Sequence, residues 1–411
     1  MPQVNDKQEI VGKNNLINNC DKKLRYYPCK YPVPKFTTAF LFSRCPIDIT
    51  HEHLLRQWAD KQFRGSQISA KIYGKLESVS LMPAFILPYC PRVDKYYTMV
   101  QMFMYFFILD DHNEEDWGQA IDLVSCRRVW GQVMALLRSI GTGRSAGYYD
   151  QFRSYVRSGY EIFYEIYRSY NSDQWLRFVQ VWDDYCAGNV EERQLFDDRH
   201  GSPVTLNEIL EIRKKAAGVR TCFVVLEYLH DYVLPETDWL DPRLQQLMDL
   251  TVLHILYVND LFSFNKELVS VGKLLAKLST DGTNGLDLVD INDIDESTIL
   301  RHMYSNTVAV TAVNEGCSIQ EAMQTIIDKV IECELDIIRI AKQWISPVSG
   351  HQQQQESRSC PVDPVPCCWQ TKSFILSLIA QCSGNYKSNT VTDRYMVVGS
   401  TKTIGQHLTW D

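Results

Sequence analysis

Apolar residues recur at helical spacing along almost the whole chain, and strand-like alternation is scarce. Segments at 51–64, 68–81, 94–109, 117–139, 148–170 and 174–184 carry the pattern through the first half. The second half continues it at 206–217, 221–233, 243–267, 298–313, 319–344 and 369–382. These runs exceed ordinary strand length and are joined by short turns, so each apolar stripe must be buried against another helix. The spacing predicts an all-α bundle. Thr205, followed three residues later by Glu208, predicts a capping box that opens the helix carrying Arg213.

Three stretches depart from this rhythm. Residues 1–36 are polar and then proline-bearing (Pro28, Pro32, Pro34), which predicts an extended strap ahead of one helical domain over 37–411. An acidic, turn-rich stretch between Ser279 and Ser297 lacks the glycine and terminal glutamate of a calcium loop. Residues 346–366 hold the run Gln352–Gln355 and several prolines, too little apolar surface to order itself. These two are read as loop insertions near 270–300 and 346–366. Gly141, Gly143 and Gly147 mimic a dinucleotide loop, but no strand precedes them.

Composition narrows the function classes. A net charge of −8 gives no basic footprint for nucleic acid. Thirteen cysteines, an odd number without a CxxC pair, predict reduced thiols and a cytoplasmic location. Cys360, Cys367 and Cys368 cluster, yet no second pair stands at zinc spacing. The N-terminal residues have the pattern of neither a signal nor a transit peptide, and no apolar run reads as a membrane span.

Two short columns carry the chemistry. Asn259, Ser263 and Glu267 follow the apolar run 253–258 at intervals of four, so they share one helix face about 6 Å apart in rise. An amide oxygen, a hydroxyl and a carboxylate suit a hard, partly hydrated cation such as Mg²⁺, which could still accept phosphate oxygens. A polar surface stripe would look the same. Lys266 lies near that face, and Asp260 is read as support for the helix. The second column is Asp110 and Glu114, next to Asp111, at the end of an apolar helix that brings Phe103, Phe106 and Phe107 to the same face. Carboxylates there meet the negative end of the helix dipole, so a bound cation would offset the cost; an exposed acidic helix end is the alternative.

Taken together, Asp110-Asp111-x-x-Glu114 and Asn259-Asp260-x-x-Ser263-x-x-x-Glu267 resemble the aspartate-rich and NSE motifs of microbial-type class I terpene synthases. Arg213, 46 residues ahead of Asn259 (213 to 259), matches the family's diphosphate-sensing arginine. Gly384-Asn385 and, ten residues on, Arg394-Tyr395 match its C-terminal pair, and the likeness covers residues 35 to 400. The first motif ends in Glu114 where aspartate is commoner. Ser388 stands where the family has tryptophan, and no class II Asp-x-Asp-Asp motif is present.

The resemblance implies a single-domain helical bundle around a central active-site cavity and three Mg²⁺ ions held by Asp110, Asp111, Glu114, Asn259, Ser263 and Glu267. It implies that Arg213, Lys266, Arg394 and Tyr395 bind diphosphate. The substrate would be geranylgeranyl or farnesyl diphosphate, ionised and cyclised to a diterpene or sesquiterpene. Phe103, Phe106, Phe107, Phe223, Ile255 and Leu256 are the candidate pocket, each with ordinary core packing as its competitor. A homodimer is common in the family. The rival readings are a chain-elongating trans-prenyltransferase, which would carry a second aspartate-rich motif in place of Asn259…Glu267, and a non-catalytic helical protein of the same fold.

Overall fold

The computed structural model describes residues 31–43, 45, 52–63, 79, 82–115, 122–144, 146–199, 202–280, 294–345 and 368–391, with the pairs 27–28 and 397–398; residues 111–115, 276–280 and 390–391 and the two pairs are described by backbone alone. The helices are α1 (Glu52–Phe63), α2 (Val93–Glu115), α3 (Leu123–Ser139), α4 (Ser154–Arg157), α5 (Tyr160–Ser169) and α6 (Ser172–Arg199). They continue as α7 (Leu206–Ala216), α8 (Val219–Val224), α9 (Leu226–His230), α10 (Glu236–Trp239) and α11 (Pro242–Thr280). The last are α12 (Glu296–His302), α13 (Thr307–Glu315), α14 (Ile319–Ile345) and α15 (Trp369–Val391). A two-residue parallel pairing joins β1 (Tyr27–Pro28) to β2 (Val397–Val398). The all-α expectation holds.

Several segments differ in extent, each for a local reason. The segment at 174–184 is the middle of the longer α6, whose polar C-terminal half is held helical by packing on α3 and α7. The segment at 148–170 divides into a 3₁₀ turn (Ala146–Gln151), α4 and α5, broken where Ser158-Gly159 weakens the helix. The segment at 298–313 divides into α12 and α13, because the Asn306 side chain accepts from Val308 and Ala309 N–H and starts a new helix. The segments at 68–81 and 117–121 lie largely or wholly outside the described residues.

The central helix is α11, which opens on Pro242, a residue suited to a first helical turn, and runs past Glu267 to Thr280. Its stretch Pro242–Leu275 is long and apolar enough to cross a membrane by length and composition, which the sequence reading did not find. Two-thirds of its most apolar window (67%) is buried inside the protein, as expected of a core helix. It packs chiefly on α14 and α15, while α6 packs on α7 and α3.

Polar ties fix these layers. Arg177 of α6, buried, donates to both Glu227 oxygens (2.8 and 3.0 Å) and to Glu236 (2.5 Å), locking α6 to the α9–α10 turn. At Gly384 of α15, a Cβ would stand 1.9 Å from the Phe85 carbonyl oxygen, so only glycine permits this approach. Its neighbour Asn385 donates to the Ile255 carbonyl of α11 at 3.2 Å.

Residues 31–43 are non-helical and lie along α11 and α14. Tyr31 exchanges both backbone hydrogen bonds with the Asn265 amide (3.0 and 2.8 Å). Glu334 of α14 accepts from Ala39 N–H at 2.8 Å and bonds the buried His254 at 3.1 Å.

Candidate active site

The capping box on α7 forms as the sequence predicts, with Thr205 and Glu208 satisfying each other's backbone N–H. It fixes the start of a helix whose last turn presents Arg213 to α11. Arg213 Nη1 donates to Asp260 Oδ2 at 2.5 Å, with the guanidinium 13% and the carboxylate 1% exposed. Burial pulls the arginine pKa down, but Asp260, Glu192 and Glu267 outweigh it and hold the guanidinium charged. Asp260 is thus more than support for its own helix. Its Oδ2 also accepts from Thr307 N–H at 2.8 Å, while Oδ1 is buried without a hydrogen bond.

The column on α11 takes the expected helical register. Asn259 and Glu267 are partly exposed and Ser263 is buried between them. Ser263 Oγ stands close enough to favour the ionised Glu267, yet it makes no hydrogen bond of ordinary geometry. Burial, then the charge of Asp260, pushes the Glu267 carboxyl pKa up; Ser263, Asn306 and Arg213 pull it down. Asn306 holds Glu267 Oε2 at 2.8 Å.

Glu192 is a carboxylate that the sequence reading did not single out. It lies on α6 one turn after Gly188, where a Cβ would stand 2.6 Å from Lys215 Cβ and 2.7 Å from the Ala216 nitrogen. That close approach turns this face of α6 towards α7. Burial raises the Glu192 carboxyl pKa, Arg213 lowers it, and Asp110, Asp260 and Glu267 raise it further. One carboxyl group therefore feels both acidic motifs at once. The i, i+4 spacing of Gly188 and Glu192 on an otherwise polar stretch was the available signal.

Asp110, on α2, is half-buried and close to Tyr185 of α6, whose hydroxyl is pushed up by burial and then by that carboxylate. Asp111 and Glu114 continue α2, and their side chains lie outside the described residues, as do Arg394 and Tyr395 entirely. Lys266 is half-buried on α11. Among the candidate pocket residues, Phe106, Phe107 and Ile255 keep partial exposure, whereas Phe103, Phe223 and Leu256 are buried. Phe106 stacks on Trp182 (5.3 Å, 12°) and meets Tyr185 edge-on at 5.6 Å. These two rings of α6 extend the aromatic wall beyond the residues read from sequence.

The helix breaks between α7 and α8 at Gly218, whose φ of 68° favours glycine. A Cβ there would also crowd the Tyr185 ring at 3.3 Å. Arg220, just beyond, pairs with Asp249 and so is engaged away from the Arg213–Asp260 pair.

Residues 101–336, more than half of the chain, match the family profile described as terpene synthase family 2, C-terminal metal binding. The chain belongs to this terpene synthase family. The matched region runs from α2 through most of α14 and so includes Asp110, Glu192, Arg213 and the α11 column. The chain is 35% identical over 98 residues to the silphinene synthase of Penicillium patulum, covering 22% of this chain and 24% of that protein. It is 36% identical over 91 residues to the viridiflorene synthase of Cyclocybe aegerita, covering 22% and 23%. The alignments thus span about a quarter of these curated relatives. A linalool/nerolidol synthase from Streptomyces clavuligerus shares the fold, with a TM-score of 0.62 and 16% identity over 87% of this chain and 100% of that one.

The residues of this family member fit a hard divalent cation. Among the described residues no three carboxylate, histidine or cysteine side chains converge on one point. Instead α11 offers an all-oxygen donor set, with one hydroxyl unsatisfied and a surplus of carboxylates around Arg213. A cation that keeps some of its waters and shares phosphate oxygens needs no closed protein cage.

Proposed function

We propose that this protein is a class I terpene cyclase that ionises a linear prenyl diphosphate, geranylgeranyl or farnesyl, and closes the resulting allylic cation into a cyclic diterpene or sesquiterpene. The observation that carries this reading is the Asn259–Ser263–Glu267 column on α11 beside the largely buried Arg213–Asp260 ion pair. Asn259, Ser263 and Glu267 would hold metal on one side and Asp110, Asp111 and Glu114 on the other. When bound, Mg²⁺ (three ions, as the family resemblance implies) would supply Lewis-acid neutralisation of the departing diphosphate.

The chain's own residues do the rest. Arg213 is fixed by Asp260 before substrate arrives, so its donors are preorganised for an anion and need no rearrangement. Lys266, Arg394 and Tyr395 would add donors to the same group. Phe106, which keeps partial exposure, would offer its ring to a carbocation, worth about 0.5–2 kcal/mol in a dry site, with the buried Trp182 and Tyr185 rings packed behind it to hold it in place. Residues 37–411 form the catalytic domain in this reading, with the strap 1–36 outside it, and the protein acts in the cytoplasm. The oligomeric state stays open, a homodimer being common in the family.

Substrate length stays open between the C20 and C15 diphosphates, and one neighbour of the same fold adds a shorter candidate to the test. The Streptomyces clavuligerus protein of the same fold is named for linalool and nerolidol and was crystallised with 2-fluorogeranyl diphosphate. Incubation with Mg²⁺ and geranyl, farnesyl or geranylgeranyl diphosphate, followed by gas chromatography–mass spectrometry, tests the reading. A cyclic hydrocarbon or alcohol supports it. A longer linear diphosphate would mean a prenyltransferase, and unchanged substrate a non-catalytic protein.

A further inference from the structure

Asn306 is fully buried at the start of α13, and all the capacity of its side chain is used. Its Nδ2 donates to Glu267 Oε2 at 2.8 Å and to the Asp260 carbonyl at 3.2 Å. Its Oδ1 accepts from Val308 N–H at 3.0 Å and Ala309 N–H at 3.4 Å. Donors on one side and acceptors on the other fix which way the amide points. The next residue, Thr307, donates its N–H to Asp260 Oδ2, the oxygen that also receives Arg213. One helix start therefore touches the Glu267 carboxylate and the anchor of Arg213 together.

We propose that Asn306 is a positioning residue for the metal-binding column, orienting the Glu267 carboxylate through Oε2 and leaving Oε1 for the cation. This rests on the reading of the α11 column as a metal site. Ordinary helix capping requires only the Oδ1 half of the side chain. The Nδ2 half is spent on Glu267 and on the α11 backbone one residue after Asn259. Groups that orient ligating carboxylates in this way typically change metal affinity by about 10–100-fold when replaced.

Two substitutions separate the halves. Asn306→Asp keeps shape and cap but turns the donor into a carboxylate oxygen facing Glu267, and Asn306→Ser keeps a capping oxygen without reach to Glu267 and adds no charge. Binding is read by Mn²⁺ electron paramagnetic resonance on the full chain with inorganic diphosphate, alongside thermal melting without metal. Expected are near-wild-type melting for at least one variant and Mn²⁺ binding weakened about 10–100-fold in it. Wild-type binding in a folded variant overturns the positioning role while the metal site stands. Loss of fold in both variants also overturns it, making Asn306 a structural cap alone. Absence of diphosphate-dependent Mn²⁺ binding in the wild type removes the metal-site reading itself.

Discussion

Arg213 and Asp260 form a 2.5 Å ion pair across the α7–α11 contact, and the same Asp260 oxygen receives the Thr307 N–H. The arginine that would meet an anionic substrate is therefore already held by the helix that carries Asn259, Ser263 and Glu267. Asp260→Asn keeps the shape but removes the charge opposite a largely buried guanidinium. The loss should be about 3 kcal/mol of stability, the low end for breaking a buried pair. Turnover should fall further than the melting shift explains, because Arg213 loses its fixed position. Denaturant titration beside steady-state kinetics checks both; unchanged turnover in a folded variant would refute the positioning of Arg213.

Asn259→Ala should abolish turnover and leave helix content intact. Alanine is the best helix former, so α11 is not weakened at that point. Circular dichroism with product analysis decides it, and wild-type-like activity would sink the metal assignment.

Gly384→Ala should destabilise the fold by at least about 2 kcal/mol, since its Cβ would stand 1.9 Å from the Phe85 carbonyl oxygen. Gly131→Ala in the middle of α3 meets nothing within 4 Å and serves as the control. There alanine should raise stability by up to about 1 kcal/mol through helix propensity. Parallel thermal melts test the pair, and equal shifts would contradict the close approach of α15.

Acid should loosen residues 31–43. Burial pushes the Glu334 carboxyl pKa up, but its bonds from His254, Thr38 and Ala39 bring it below its ordinary value. A depressed folded pKa stabilises above the unfolded value of about 4.3 and is lost as pH falls through the folded one. Limited proteolysis between pH 3 and 7 should show early cleavage near Thr38 only at the acidic end. Glu334→Gln should flatten that dependence.

Much of this was legible in the sequence because helix geometry converts spacing directly into faces. The positions Asn259, Ser263 and Glu267 fix their own register, and Thr205 with Glu208 fixes the start of the helix that presents Arg213. What escaped depends on contacts between distant segments. Glu192 sits where α6 has lost apolar periodicity and stays helical through its neighbours. Asn306 reaches Glu267 from 39 residues away. Asp260, which stands in the motif but reads from sequence only as support for its helix, shows its role through Arg213 and Thr307, 47 residues away on either side.

The fastening of Tyr31 to Asn265 has a consequence for how the chain is made. The partners are 234 residues apart in sequence, and Ala39 lies 295 residues from its partner Glu334. Synthesis proceeds from the N-terminus, so this segment leaves the ribosome long before either partner exists. It can be fastened only after α11 and α14 have been made, so its extended backbone must wait for partners from the other end of the chain.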